Sequence, residues 1–193
     1  MKQIMVALLF LLTTILGCQS RTAKNGKGAS RADTATFFAT TPFFKSQIQY
    51  VDLRNFPIYK ITVIDGKKDS VALTKEGFIQ WAALFLEKDI SAPEKVAGYK
   101  ESVFNDLSTG SITLNYSPLD GEALIQNVDV LLAQETSQVK RIMIKSVYNH
   151  GDTTITEQCS WKTDKSFQVN RSYTTKSGYQ KIELNTINWN DKP

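Results

Sequence analysis

Residues 139–188 read VKRIMIKSVYNHGDTTITEQCSWKTDKSFQVNRSYTTKSGYQKIELNTIN, and this stretch decides the fold. Apolar side chains recur there at alternate positions, as Ile142, Ile144 and Tyr148 show, and this period is typical of a strand with one buried face. Short groups of Gly, Asn, Asp, Ser and Lys interrupt the alternation, and these residues favour tight turns. The stretch therefore predicts successive strands joined by short links, which is an antiparallel meander.

The same pattern continues upstream and predicts further strands. The predicted meander strands cover residues 99–105, 111–116, 123–133, 139–148, 153–161, 166–174 and 179–188. A separate hairpin is predicted with strands at 58–64 and 70–73, because Asp65-Gly66 between two such runs is a strong turn signal. The apolar positions of the last strand change phase, which predicts a β-bulge near Asn185.

Two stretches ahead of the meander have the period of a helix. The first covers residues 42–53 and follows Thr40-Thr41-Pro42, which supplies a threonine cap and a proline at the first helical position. The second covers residues 74–88, with Thr74 as its cap and one broad apolar face. Burying that face requires a second layer. The predicted fold class is therefore α+β, a large twisted antiparallel β-sheet (meander) packed against two N-terminal helices.

The N-terminal segment MKQIMVALLFLLTTILGCQS is of a different kind. Lys2 precedes an apolar run at residues 4–15, which is shorter than the ~20 residues that a membrane-spanning helix needs. A short basic start followed by a short apolar core is typical of a secretory signal. The run ends in Ile15-Leu16-Gly17-Cys18, and this motif resembles the lipobox of bacterial lipoproteins.

The resemblance implies that Cys18 is a lipid attachment site. In that family the cysteine thiol carries diacylglycerol as a thioether, and cleavage before the cysteine frees its amine for a further acyl chain. Two or more chains hold a protein stably on a membrane. The chain would then divide into a signal peptide at 1–17, an acylated cysteine and flexible tether at 18–38, and a single globular domain at 39–193.

The residues after the cysteine predict where the protein is held. In lipoproteins of well-studied Gram-negative bacteria, an aspartate directly after the cysteine favours retention in the inner membrane. Gln19 stands there in this chain, which favours the outer membrane. Some bacteria mark surface lipoproteins with acidic residues at this point, and residues 19–24 contain none, which favours the periplasmic face.

Composition and charge are consistent with an exported domain that has its own core. The 193 residues are 41% hydrophobic and 22% charged, which is ordinary for a globular protein. The net charge is +4, including Lys2 of the signal. A basic balance can indicate nucleic acid, but the basic residues form no stripe, so no nucleic-acid partner is predicted. Weak attraction to acidic lipid or polysaccharide fits this charge better.

No pattern in the sequence predicts catalysis, a cofactor or a metal site. Zinc sites need several His or Cys ligands, and besides Cys18 the chain has only His150 and Cys159. His150 falls in a predicted turn, and Cys159 falls in a predicted strand, where packing explains it. A carboxylate pair could still meet only in space, and Asp106 and Asp129 are the acids that turn or cap roles explain least.

Aromatic side chains on the second helix and on the strands are the remaining candidates for a binding site. Such rings could line a space between the sheet and the helix at 74–88, although core packing explains them equally well. The candidate ligand-lining residues are Phe78, Trp81, Phe85, Tyr148, Trp161 and Tyr173.

Three functions follow from these patterns, and the sequence favours a non-catalytic one. The leading hypothesis is an accessory or scaffold component of an outer-membrane assembly, held to the membrane through Cys18 and binding an envelope protein. The alternative is an envelope binding module for a hydrophobic or glycan ligand held between the sheet and the helix at 74–88. The third is a hydrolase with an unrecognised carboxylate site.

Overall fold

The computed structural model of the chain describes residues 37–191. The predicted signal peptide, Cys18 and the tether as far as residue 36 lie outside this range. Nine strands form one antiparallel sheet in the order β2-β1-β9-β8-β7-β6-β5-β4-β3. The strands are β1 Tyr59–Ile64, β2 Lys67–Ala72, β3 Tyr99–Asp106, β4 Ser111–Pro118, β5 Ile125–Ala133, β6 Val139–His150, β7 Thr153–Lys162, β8 Ser166–Thr175 and β9 Gln180–Asn188. Strands β3 to β9 are neighbours in chain order, so the predicted antiparallel meander is confirmed.

The β1–β2 hairpin extends the meander, because β1 pairs with β9. Its turn has Asp65 at φ 46° and Gly66 at φ 80°. Left-handed backbone at both central residues matches the twist of the strands that it joins. The predicted Asp-Gly turn is thus confirmed, and β2 begins at Lys67, three residues earlier than expected.

Three helices accompany the sheet in the described part of the chain: α1 Thr40–Asp52, α2 Lys75–Leu86 and the single turn α3 Pro93–Val96. The Thr74 hydroxyl caps α2, accepting a hydrogen bond from the Gly77 amide at 3.1 Å. At α1 the predicted threonine cap is wrong. The Asp89 carboxylate, which lies in a distant loop, caps the helix instead and accepts a hydrogen bond from the Thr41 amide at 3.0 Å. An α+β description fits broadly, but two helices were an incomplete expectation.

The sheet has a covered face, on which α1 and α2 pack, and an open face. Cross-strand register places the covered-face side chains of β6 to β9 in rows. The first row is Ile142, Trp161, Phe167 and Ile187, and all four side chains are buried. The helices add buried phenylalanines over these rings, so the core lies between the two layers.

The predicted bulge near Asn185 is wrong. Strand β9 keeps an unbroken register with both β8 and β1. Glu183 and Asn185 lie on the covered face instead, while Ile182 and Leu184 are exposed on the open face. Register shifts occur between β5 and β6. The phase change in the sequence therefore marks polar side chains on an otherwise apolar face.

Within residues 37–191, none of the helices combines the length and apolar character that crossing a bilayer requires.

Candidate functional site

Three of the six predicted lining residues are core residues. Phe78, Phe85 and Trp161 expose at most 1% of their surface. The Phe85 ring lies 4.9 Å from the Trp161 ring and 5.2 Å from the Phe167 ring, and Phe78 lies 5.7 Å from Phe167. These are ordinary distances for packed aromatic pairs. Protein side chains therefore fill the space between the sheet and α2 around Phe85 and Trp161, where the sequence placed part of a ligand site.

The other three predicted residues, Trp81, Tyr148 and Tyr173, are partly exposed and lie around Arg171. Trp81 and Arg171 line a recess of about 290 Å³ together with Gln80 and Leu84. Burial opposes the charge of Arg171, but Glu157 and, to a smaller extent, Tyr173 and Tyr148 raise the pKa of Arg171, so both tyrosines lie near it. We call the space between α2 and Arg171 the Trp81 recess.

Arg171 belongs to a charged row at the end of the apolar core. Its partners across β6 to β9 are Ser146, Glu157 and Glu183. The Glu157 side chain is 3% exposed and accepts a hydrogen bond from Arg171 Nε at 2.6 Å. Lys88, just beyond α2, places its ammonium 2.7 Å from the other Glu157 oxygen. Glu157 thus connects the helix layer to the sheet through Lys88 and links β7 to β8 through Arg171.

The charge of Glu157 is maintained despite its burial. Burial opposes ionisation, but hydrogen bonds and charge from Lys88 and Arg171 together hold the pKa of Glu157 below its usual value. The row therefore carries fixed charges at neutral pH. A buried carboxylate held from two sides fixes the rotamer of the arginine that it grips.

A second polar network continues the row towards β1. The Tyr173 hydroxyl donates to Glu183 at 3.3 Å, and the Asn185 amide donates to Glu183 at 2.9 Å. Asn185 also accepts from the Thr62 hydroxyl at 3.0 Å. Asn185 is 1% exposed, so these bonds satisfy an amide that would otherwise be costly to bury.

The open face carries a polar groove of about 590 Å³ across β5 to β8, which we call the open-face groove. Amide and charged side chains dominate its wall. The polar lining residues are Gln126, Asn127, Asp129, Arg141, Lys145, Gln158, Ser160, Gln168 and Asn170. Met143 adds an apolar patch, and a neighbouring recess of about 160 Å³ shares Gln158 and Asn170 and adds Ile182 and Leu184. No aromatic residue of the described part of the chain lines this groove.

Hydrogen bonds hold one wall of the open-face groove in place. Asn115 donates to Asn127 at 2.8 Å and to Asp129 at 2.7 Å, and Asn127 donates to the second Asp129 oxygen at 2.7 Å. On the other wall, the Asn170 side-chain oxygen is buried and has no hydrogen-bond partner. A buried acceptor without a donor is costly, so Asn170 is an unsatisfied position within the groove.

The remaining sequence candidates stand apart from both sites. His150 is exposed at the end of β6, and Cys159 is 2% exposed. Burial, with the nearby Glu157 charge, raises the pKa of the Cys159 thiol to about 12, so it is a packing residue, as predicted. Among residues 37–191, no cluster of three or more His, Cys, Asp or Glu side chains could hold a metal ion.

Asp106 and Asp129 do not form a carboxylate pair. Asp106 lies opposite Ser111 and Ser111 opposite Ala133, so Asp129 lies four residues along and two strands across from Asp106. Standard strand spacings place the two on the order of 16 Å apart. Hydrogen bonds from Ser108 and Thr109 lower the pKa of Asp106 to about 2, which is the role of a turn residue.

Sequence reasoning missed Glu157, Lys88 and the amide set of the open face. One signal was available in the sequence, namely charged residues at positions where the strand alternation predicts apolar ones. Glu157, Arg171 and Glu183 occupy such positions on the covered face. Comparison of the chain with protein-family models, curated proteins and solved structures gives no match. The geometry of the two sites is therefore the basis for a function.

Proposed function

We propose that the chain is a lipid-anchored, non-catalytic protein of the cell envelope whose open-face groove binds a glycan. The observation that carries the proposal is the amide-rich lining of the open-face groove, to which Gln126, Gln158 and Asn170 contribute. The sequence had placed a glycan or hydrophobic ligand under α2. The filled core at Phe85 and Trp161 favours the opposite face of the sheet.

The chemistry of the groove matches a ligand rich in hydroxyl groups. Each asparagine or glutamine side chain both donates and accepts, as a sugar hydroxyl does. Gln158 and Asn170 lie opposite each other on β7 and β8, and Lys145 continues the same row on β6. This row offers donors and acceptors at the spacing of adjacent strands, about 5 Å. A saccharide ring lying across the strands could bond to two neighbours at once.

The lining side chains of the groove are also preorganised without a ligand. Both Asp129 oxygens already accept hydrogen bonds from Asn115 and Asn127. Asn115, Asn127 and Asp129 lie on strands, which position side chains more precisely than loops do. Less rotamer entropy is then lost on binding. Met143 and the nearby Leu184 give apolar surface for the carbon faces of a sugar.

Replacing Asn170 with leucine is expected to weaken glycan binding about tenfold, the order of effect for losing a hydrogen bond and leaving its partner unpaired. The full chain would be extracted in mild detergent, screened on an array of envelope oligosaccharides, and titrated with the best-bound one by calorimetry. The fold should tolerate the change, because the Asn170 oxygen has no partner to lose.

Asn105→Leu is the matched control, since Asn105 is exposed on the edge strand β3, away from the groove. It should leave the dissociation constant unchanged. Failure of every oligosaccharide to bind, or an equal loss in both variants, would refute the glycan proposal.

The anchor is the second part of the proposal, and it rests on the lipobox-like Ile15-Leu16-Gly17-Cys18. Cys18→Ser is expected to move the protein from the detergent-rich to the aqueous phase on detergent phase separation, and to remove the mass of the acyl chains. Attached chains supply ~0.8 kcal/mol of membrane binding per buried methylene, so the loss should be nearly complete. Cys159→Ser is the control. An unchanged distribution of Cys18→Ser would exclude this anchor. We propose the outer membrane as its location because Gln19 follows the cysteine, and the periplasmic face because residues 19–24 contain no acidic side chain.

A scaffold role is the second candidate, and the edge strand β3 favours it. Its side chains Val103 and Phe104 are 62% and 66% exposed, and Leu107 at its end is 77% exposed. An unpaired strand edge with apolar side chains is a surface to which a partner strand can add. The two roles separate in experiment, because Asn170→Leu should not affect a protein bound at β3.

A further inference from the structure

The Trp81 recess lies on the covered face, away from the open-face groove, and combines an aromatic surface with a fixed cation. Trp81 and Leu84 project from α2, and Arg171 rises from β8 to meet them. The recess has a volume of about 290 Å³, which suits a small group rather than a folded partner. Packing does not close it, since Trp81 and Leu84 both remain partly exposed.

Charge around the recess is in excess on the positive side. Lys88 and Arg171 share the single buried carboxylate of Glu157. In the next row of the sheet, the Lys181 ammonium lies 5.7 Å from the centre of the Tyr173 ring, and the Tyr173 hydroxyl donates a hydrogen bond to Glu183. At the other end, the Lys60 ammonium is 5.2 Å from the centre of the Trp81 ring. Arg171 in the recess and Lys60 beside Trp81 thus present positive charge to an incoming anion, while the one carboxylate that contacts Arg171 is shared with Lys88.

The Arg171 side chain is held in a conformation that can bind an anion. Its Nε donates to Glu157, and Glu157 is itself fixed by Lys88. A guanidinium has five N–H donors, so this bond leaves the terminal nitrogens for other acceptors. The Arg171 side chain is 20% exposed, which keeps it reachable from the recess. Arginine prefers planar, two-point contact with carboxylate or phosphate.

We propose that the Trp81 recess binds an organic acid, with its carboxylate or phosphate on Arg171 and its apolar part on Trp81 and Leu84. An acyl chain or the carbon face of a ring would pack against the indole, and the acid group would pair with the excess positive charge. Two sources share this chemistry, a lipid-like acid and an acidic sugar. The site does not depend on the open-face groove, because the two lie on opposite faces of the sheet.

Tryptophan fluorescence reports on this site directly. The chain has three tryptophans, and Trp161 and Trp189 are 0% and 4% exposed, so Trp81 is the one a ligand could reach. The full chain would be titrated with octanoate and with glucuronate, and in parallel with the uncharged octanol and glucose. We expect a saturable change with at least one of the acids and no saturation with its uncharged counterpart. Octanoate would identify a lipid-like ligand, and glucuronate an acidic sugar.

Arg171→Gln is expected to weaken binding of the acid at least about tenfold, since a charge-assisted hydrogen bond is lost. Arg54→Gln removes the same charge from an exposed position outside both sites and should leave binding unchanged. Trp81→Phe should abolish the fluorescence change while calorimetric binding persists. If Arg171→Gln disturbs the near-ultraviolet circular dichroism, Leu84→Glu tests the same site by placing a negative charge at its rim.

The proposal is overturned if neither acid binds, if octanol or glucose binds as tightly as its acid, or if Arg54→Gln weakens binding as much as Arg171→Gln. It is also overturned if a correctly folded Leu84→Glu binds the acid like the wild type. Asn170→Leu should not alter binding of the acid. Loss of glycan binding with retention of acid binding, or the reverse, would therefore show which of the two sites is real.

Discussion

Replacing Phe85 with alanine is expected to lower the free energy of unfolding by about 3–5 kcal/mol, the usual cost of deleting a buried aromatic ring. Phe85 is fully buried, and its ring contacts those of Phe44, Trp161 and Phe167 at centroid distances of 5.1, 4.9 and 5.2 Å. Interiors are close-packed, so the neighbours can only partly refill the space. Urea unfolding followed by far-ultraviolet circular dichroism gives the value.

The size of this loss distinguishes a packed core from a ligand cavity under α2. A ring that lined an open cavity would already lack contacts on one side, so its removal would cost much less. Phe104→Ala is the control, because Phe104 is 66% exposed on β3 and its truncation should change stability by no more than about 0.5 kcal/mol. A loss below about 1 kcal/mol for Phe85→Ala would contradict the packed interface that we describe.

Local patterns were sufficient to predict most of the sheet. Alternation placed Ile142 and Ile144 on one face and Met143 on the other, and the structure agrees. Turn residues such as Asp65-Gly66 act within a few residues, so sequence shows them directly. The cap at α1 was missed for the opposite reason, since Asp89 reaches Thr41 from 48 positions away.

The two sites depend on register and docking, which local patterns do not contain. Glu157 and Arg171 face each other because of the pairing set by the β7–β8 turn, and a slip of one residue would put either on the other face. Lys88 arrives only when α2 docks on the sheet. The Asn127 amide donates to Asp129 beside a register shift that no residue pattern predicted.

The aromatic residues show the limit most clearly. Trp81 and Phe85 lie on one apolar stripe of α2, four positions apart, so period alone treats them alike. The structure buries Phe85 fully and leaves Trp81 partly exposed beside Arg171. The distinction between a core ring and a ring at a recess is decided by how α2 docks on the sheet, which is a tertiary property.

Glu157→Gln is expected to lower the free energy of unfolding by about 3–5 kcal/mol, because it leaves two cations near the core without their shared carboxylate. The side chains of Lys88 and Arg171 are 12% and 20% exposed, so water can screen them only in part. Glu183→Gln, in the same row but more exposed, should cost less than about 1 kcal/mol. Thermal and urea unfolding of the three proteins would give these values.

The pH dependence of the Glu157→Gln effect has a definite sign. The pKa of Glu157 is held below its ordinary value of 4.5 by Lys88 and Arg171, which outweigh burial. Its stabilising contribution is therefore complete above pH 4.5 and is lost as the pH falls through the lower pKa of the folded state. The stability gap between wild type and Glu157→Gln should narrow as the pH falls below 4.5. A gap that stayed constant down to pH 3 would mean that the carboxylate charge is not what stabilises the row.

Replacing all three charges decides whether the row exists for stability or for binding. A buried ionic triad can often be exchanged for apolar residues at no cost, or with a gain of about 1–4 kcal/mol, because desolvation offsets much of the ionic attraction. We expect the triple variant Lys88→Met, Glu157→Leu, Arg171→Met to be at least as stable as wild type, although Glu157→Gln alone is far less stable. The same variant should lose acid binding at the Trp81 recess. A triple variant much less stable than wild type would make the row structural. A stable variant that no longer binds the acid would indicate that the three charges serve ligand binding and not stability.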